Sequence, residues 1–216
     1  VPFEKATTLQ MQARSTGISN PETQAVQLEQ AMEFLKQFTT DSPNHPRAGE
    51  ANSRQAAILL AKARVEVWQS KSPGNKDTRT EYQKKGRDLI LEARKIFSAA
   101  QAQHKTNWEK FPAFVDRTEN PQQFAARAKA EQRFIQAQLD LAMCTYEESQ
   151  THDNGSKEFI DKLKASAKEY EDIHSKYRSQ VAGLYARTWQ GKCFEEQDDI
   201  QRALGLYKEL LAHPGK

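Results

Sequence analysis

Five histidines, two cysteines and a few carboxylate groupings are the residues of this chain best equipped for chemistry. Three histidines, His45, His152 and His213, lie in or beside turn-like segments, where exposure is expected. Glu171 and His174 make one Glu-x-x-His, the spacing that places two metal ligands on one helix face in di-iron bundles. Such a centre needs two of these elements and further glutamates, so no metal site is expected. The pairs Glu147–Glu148 and Glu195–Glu196 are adjacent in sequence, and neighbours on a helix diverge by about 100°. Neither pair focuses two carboxylates on one atom, and both read as solvated faces. Cys144 and Cys193 stand 49 residues apart, with no CxxC and no histidine at zinc-site spacing. They read as small core residues. A disulfide would require Cα atoms within about 7 Å. No HExxH, GxGxxG, phosphate-binding P-loop, GxSxG or kinase signature occurs. Asn154-Gly155-Ser156 matches a glycosylation sequon, a common match. The expectation is a protein that is not an enzyme and uses no cofactor.

The elements that would hold any site are legible in the composition. Hydrophobic residues make up 37% of the 216 positions and charged residues 28%, with a mean hydropathy of −0.87. That balance suits an assembly in which each element buries a narrow stripe. The net charge is +3, from 32 basic and 29 acidic residues interleaved along the chain. A nucleic-acid binder gathers its cations on one face. The densest run, Lys84, Lys85, Arg87, Arg94 and Lys95, is diluted by Asp88 and Glu92, which argues against a nucleic-acid partner. No stretch approaches the roughly 18 apolar residues of a membrane span. The chain opens at Val1, as an exported form with its signal peptide removed or an excised segment would, so the compartment stays open between cytoplasmic and exported.

Strand signals are nearly absent, and helix formers dominate. Asn20 with Pro21 predicts a helix start, followed by a stripe of Ala25, Leu28, Met32 and Leu35, widened by Ala31, Phe34 and Phe38. After "DSPNHP" at 41–46, a second helix is predicted over about 47–70, with Ala56, Leu59, Leu60, Ala63, Val67 and Trp68 as its apolar face. Thr78 and Glu81 predict a capping box for a third, carrying Leu89, Ile90, Ala93, Ile96, Phe97 and Ala100. Residues 105–119 read as an irregular aromatic segment with Trp108, Phe111 and Phe114, folded back on the helices or forming a binding lip. Asn120-Pro121 opens a long helix through Phe134, Leu139 and Tyr146. Ser156 caps another, bearing Phe159, Leu163, Tyr170 and Ile173. Two more follow a break at 178–180, with Asp198 and Gln201 as a capping box for the last. Seven or eight helices joined by short turns must pack as antiparallel hairpins.

Within these helices a small residue recurs, followed four later by an aromatic or leucine and three after that by an apolar residue. The sets are Ala31, Leu35, Phe38; Ala93, Phe97, Ala100; Ser166, Tyr170, Ile173; and Ala203, Tyr207, Leu210. Positions four and seven apart share a helix face, so the small residue admits a neighbouring helix and the large ones fill around it. Gly191 and Phe194 repeat this logic on the preceding helix, and Pro214 closes the run. Over about 185–214 this set resembles the tetratricopeptide repeat (TPR). Leu210 replaces the usual small third position, and Gln190 departs from the leucine expected before the glycine. The helix-B positions are separated by 62, 73 and 37 residues, where a regular array has about 34.

The fold expected is all-α: one TPR-like helical repeat domain over 1–216, with antiparallel hairpins stacked as an irregular α-solenoid. Its irregular hairpins fall at about 21–70, 78–150 and 156–197, and the most regular at 181–214. The resemblance implies a protein-protein interaction scaffold that binds a peptide or partner protein in a concave groove. By helix phase the polar residues toward that groove are Arg54, Arg64, Arg133, Gln138, Arg187, Gln190 and Lys192. The partner-binding set is Arg187, Gln190, Lys192, Arg133 and Arg64, which would favour acidic or carboxylate ligands. The alternative is an assembly or regulatory domain of a larger protein, exported or not, self-associating as a homodimer through its C-terminal hairpin.

Overall fold

Helix-forming composition and well-placed caps produce eight α-helices and no strand among the described residues of the computed structural model. The structure describes residues 2–43, 45 and 47–213. The helices are α1 (Pro2–Thr16), α2 (Pro21–Asp41), α3 (Ala48–Lys71), α4 (Arg79–Glu109), α5 (Pro121–Gln150), α6 (Lys157–Lys176), α7 (Val181–Glu196) and α8 (Ile200–Leu211). Pro214, expected to close the last hairpin, lies outside the described residues. So do residues 44 and 46 of the break between α2 and α3.

Two of the caps form as the sequence predicts. Asn20 Oδ1 accepts from the Thr23 backbone N–H at 3.1 Å, and Ser156 Oγ accepts from Phe159 N–H at 3.2 Å. The last helix is capped one residue later than expected. Asp199, not Asp198, accepts from Arg202 N–H at 3.2 Å, while Asp198 takes a left-handed φ of 62° that folds the chain from α7 into α8. The capping box at Thr78 does not form. The Thr78 hydroxyl turns back to the Asn75 carbonyl, and Glu81 is held by Lys85 one helical turn on, at 2.9 Å.

Two larger differences concern extent. Residues 105–109 continue α4, and Trp108 on that last turn stacks on Phe134 of α5 with ring centroids 5.7 Å apart. Phe111 is half-buried, whereas Phe114 is 79% exposed, so the aromatic segment is divided between packing and surface. The N-terminal helix α1 was not anticipated at all. Its inward face is Phe3, Ala6 and Ala13, too alanine-rich to stand out as an apolar stripe. Long-range contacts hold it. Phe3 packs edge-on to Phe38 at 5.5 Å, and the Arg47 guanidinium lies 3.6 Å from the Phe3 ring centroid. Arg47 also reaches Glu4 at 2.8 Å, and Arg54 on α3 exchanges hydrogen bonds with Gln10.

The chain forms two compact units, Val1–Ala100 and Gln101–Lys216. In the first, α1 packs on α2 and α2 on α3, around Leu28, Ala31, Met32, Leu35, Leu59 and Leu60. In the second, α5, α6, α7 and α8 pack in succession, each on its chain neighbour. Its core joins Leu139, Ala142 and Tyr146 to Phe159, Leu163, Tyr170 and Ile173, then to Ala186 and Cys193. The half-buried Trp189 packs against this core, edge-on to Tyr146 at 4.9 Å and stacked near Tyr170 at 6.3 Å.

The small residue of each recurrent set is buried: Ala31, Ala93 and Ser166 at 0% exposure and Ala203 at 2%. Ser166 Oγ donates to the Ala142 carbonyl at 3.3 Å, so its hydroxyl is satisfied at the point where α6 crosses α5. Two glycines mark closer approaches still. A Cβ on Gly183 would stand 2.1 Å from the Tyr177 carbonyl oxygen, and one on Gly191 would stand 2.5 Å from the Tyr207 ring.

Alanine in a helix interior ordinarily gains up to about 1 kcal/mol over glycine. Here both substitutions should lose stability. Gly183→Ala meets rigid backbone and should cost about 3 kcal/mol, whereas Gly191→Ala meets a ring that can shift and should cost about 1 kcal/mol. Urea unfolding followed by circular dichroism and tryptophan fluorescence would measure both; a neutral Gly183→Ala would contradict this packing.

Candidate partner-binding surface

Helix α1 lies along α2, and their facing side chains leave an open groove of about 750 Å³. Its lining is Glu4, Lys5, Thr8, Leu9 and Gln12 from α1 with Gln30 and Phe34 from α2. The α1 residues recur at the three- and four-residue steps that place them along one helix edge. Leu9 and Phe34 are half-buried and form an apolar floor. Amides and a hydroxyl supply the rim. The charges there are unequal in availability: Glu4 is held by Arg47 at 2.8 Å, whereas Lys5 makes no ion pair among the described residues and extends its ammonium 5.4 Å from the Phe34 ring centroid. The groove therefore pairs an apolar floor with an accessible cation.

Sequence reasoning placed Phe34 on the widened stripe of α2 but did not foresee this groove, because it did not foresee α1. The available signal was faint: Phe3, Ala6 and Ala13 inward, with Lys5, Leu9 and Gln12 one step around the same helix.

The five residues expected to bind a partner sit in different settings. Arg64 belongs to the first unit and is exposed on α3. Arg133 is exposed on α5. Arg187, Gln190 and Lys192 all lie on α7, but their polar groups are engaged within the fold. Arg187 makes a two-nitrogen ion pair with Glu209 of α8, through Nε at 3.0 Å and through Nη2, and donates to Gln190 Oε1 at 2.8 Å. The hydrogen bond from Arg187 holds the Glu209 carboxyl below its ordinary range. Gln190 is buried at 5% exposure, so the expectation that it faces a groove is corrected: it sits within the second unit as the acceptor for Arg187. Lys192 pairs with Glu195 at 2.9 Å and Glu196 at 3.5 Å, and the Glu195 hydrogen bond raises its ammonium pKa. Of the wider set, Arg54 is taken up by Glu50 and Gln10, and Gln138 donates to the Tyr177 hydroxyl at 3.0 Å.

Three of the four paired carboxylates are less solvated than expected, while Glu195 is exposed. Glu147 is buried at 6% exposure, and Glu148 pairs with Lys162 at 2.6 Å. Glu196 accepts from the Tyr146 hydroxyl at 2.6 Å and from Gln150 at 2.5 Å. Glu171 turns to Lys168 at 3.1 Å, while His174, on the same helix, is buried with Nδ1 2.9 Å from the Gly183 carbonyl. The two ends of the Glu-x-x-His thus point to different environments. Cys144 and Cys193 are buried and not joined in a disulfide. Burial, opposed by a hydrogen bond to Ser166, pushes the Cys193 thiol up to about 12, so it stays protonated at neutral pH and is a poor nucleophile. Among the described residues no three His, Cys, Asp or Glu side chains gather as a metal set, and no helix is long and apolar enough to cross a membrane.

One acid stands apart. Asp140 on α5 is half-buried, with Gln136 donating to it at 2.9 Å, and burial pushes its pKa up to about 6.

No protein-family model matches the chain, and no curated protein matches it.

Folded Asp140 retains its proton to about pH 6, whereas an unfolded aspartate loses it near 3.9. The stability it contributes below about pH 4 is therefore lost as pH rises toward 6. Asp140→Asn should leave stability unchanged at pH 4 and add about 1–3 kcal/mol at pH 7.5, read from urea midpoints at the two pH values. An equal effect at both would show that ionisation is not the cause.

Proposed function

We propose that this protein is a non-catalytic scaffold of TPR-like helical hairpins that binds a peptide or partner-protein segment. The observation that carries this reading is the α1–α2 groove, with its Leu9–Phe34 floor and the Lys5 ammonium at its rim. Such a groove suits a segment that seats one large apolar side chain on the floor and offers a carboxylate to Lys5. Amphipathic segments of this kind are held by a few anchoring side chains. The buried small positions at Ala31, Ala93, Ser166 and Ala203 and the contact of Gly191 with Tyr207 support the TPR-like description, since repeats of that type pack through small residues. The surface beyond the groove supports it too. Charges there pair along and between helices, as on Arg187 and Lys192, which suits a molecule that presents chosen patches.

Peptide display against the immobilised full-length chain, followed by amide chemical-shift mapping of the selected peptides, tests this function. Selected peptides should carry an acidic residue near an aromatic or aliphatic one and should shift amides of α1 and α2. Lys5→Glu should weaken them about 10-fold or more, as loss of a charge-assisted contact implies. Shifts confined elsewhere, or indifference to Lys5→Glu, would sink the groove reading.

A further inference from the structure

Seven asparagines occur in the chain, and their surroundings separate one from the rest. Asn20 and Asn120 precede Pro21 and Pro121, whose nitrogens carry no proton. Asn52 and Asn107 lie inside α3 and α4, where the next backbone N–H belongs to the helix ladder. The half-buried Asn75 donates through Nδ2 to the carbonyl and side-chain oxygens of Gln69, at 3.0 and 2.9 Å. Asn44 lies outside the described residues. Asn154 is exposed in the turn between α5 and α6, and with Gly155 it makes the one Asn-Gly pair of the sequence. The turn is closed by Ser156 N–H donating to the Asp153 carbonyl at 2.9 Å, so the Gly155 N–H takes no part in closing it. Gly155 has a φ of 77°, with open space where a Cβ would stand, as glycine has in the third place of a type II turn.

We infer that Asn154 is a site of spontaneous covalent modification, deamidation through a succinimide, and that its isoaspartyl product loosens the start of α6. The Gly155 backbone nitrogen gives up its proton to solvent base and attacks Asn154 Cγ. The new N–Cγ bond closes a five-membered ring, the Cγ–Nδ2 bond breaks, and Nδ2 leaves as ammonia with a proton from solvent. Water then opens the ring at either carbonyl. Opening at Cγ yields aspartate. Opening at the main-chain carbonyl yields isoaspartate, in which the chain runs on through Cγ. Water is the only co-reactant, and nothing is oxidised or reduced. Glycine favours closure because it presents no side chain to the approaching Cγ and its backbone turns most freely.

The two products differ in what they do to the fold. Isoaspartate adds one carbon to the main chain inside a turn spanned by the Ser156–Asp153 hydrogen bond. Ser156 is also the cap of α6, its Oγ accepting from Phe159 N–H at 3.2 Å, and Phe159 is buried at 3% exposure in the core of the second unit. A longer chain moves that cap off its helix and frays the first turn of α6. Aspartate keeps the length of the main chain and places a carboxylate just ahead of a helix N-terminus, where the dipole favours negative charge. The turn belongs to the second unit and shares no residue with the α1–α2 groove, so failure here would leave the peptide-binding reading standing.

The full chain, produced in a host without N-glycosylation so that the Asn154 sequon stays free, is incubated folded at mildly alkaline pH in heavy-oxygen water, then digested and read by mass spectrometry. The peptide carrying Asn154 should gain one heavy oxygen about 10-fold faster or more than those carrying Asn52, Asn75 or Asn107, the ratio that a barrier lower by about 1.4 kcal/mol gives. Methyl transfer by a protein isoaspartyl methyltransferase should label the same peptide. Asn154→Gln should abolish both signals, because its closure needs a six-membered ring. The aged parent should unfold at lower urea than the fresh one, whereas Asn154→Asp should keep the fresh midpoint. Reaction at Asn154 no faster than at Asn52, Asn75 and Asn107, reaction there only after unfolding in urea, or an equal loss of midpoint in Asn154→Asp would each overturn the proposal.

Discussion

Close approach between neighbouring helices is the constraint on which both units depend. A chain with 37% hydrophobic residues has little large apolar surface to spend on each contact. It compensates by letting backbones come near one another. Ala31, Ala93, Ser166 and Ala203 are buried to 2% exposure or less, and two glycines on α7 lie against neighbours that any Cβ would strike. Near-contact packing gains dispersion energy over the whole helix length, which single large side chains on a polar helix would not supply. Around each close point the large residues fill the remaining space, as Tyr146, Tyr170 and Trp189 do in the second unit.

This economy shapes the electrostatics. Narrow buried stripes leave most of each helix surface polar, and long charged side chains near a helix–helix seam find partners across it. Arg187 with Glu209, Lys162 with Glu148, and Lys62 with Glu29 all join side chains of different helices. Exposed pairs of this kind contribute little stability individually. Their consequence is for recognition. A cation already bonded in two directions, as Arg187 is, has little left to offer a ligand, whereas Lys5 over an apolar floor retains its charge for one. The half-buried Asp140 is the converse case, a carboxyl whose burial is offset only by a neutral amide.

Much of the helical grammar was readable from the sequence, although the Thr78 hydroxyl turns to the Asn75 carbonyl and Asn120 accepts no capping bond. Asn20 and Ser156 cap as expected because a side-chain oxygen three residues ahead of a free N–H needs no tertiary help. The stripes of α2, α3 and α6 face inward, apart from the exposed Ala25 and Trp68, because helical spacing alone sets which residues share a face. Reading failed where distant residues decide. Helix α1 has an alanine-rich inner face and owes its place to Phe38, Arg47 and Arg54. The last turn of α4 stays helical with Trp108 stacked on Phe134 of α5.

The same division holds for the surfaces. By itself the sequence determined that the protein is all-α, where seven of its eight helices fall, and which small residues of the recurrent sets are buried, since these follow from propensity and from 3.6-residue spacing. Only the tertiary structure decided which polar and apolar groups remain available. Helix phase put Gln190 and Arg187 toward a groove, yet the packing of α8 on α7 draws Arg187 to Glu209 and buries Gln190. The same phase could not show that α1 would lie on α2 and leave Leu9, Phe34 and Lys5 open. Spacing along one helix says which residues share a face, but what covers that face is set by residues remote in sequence.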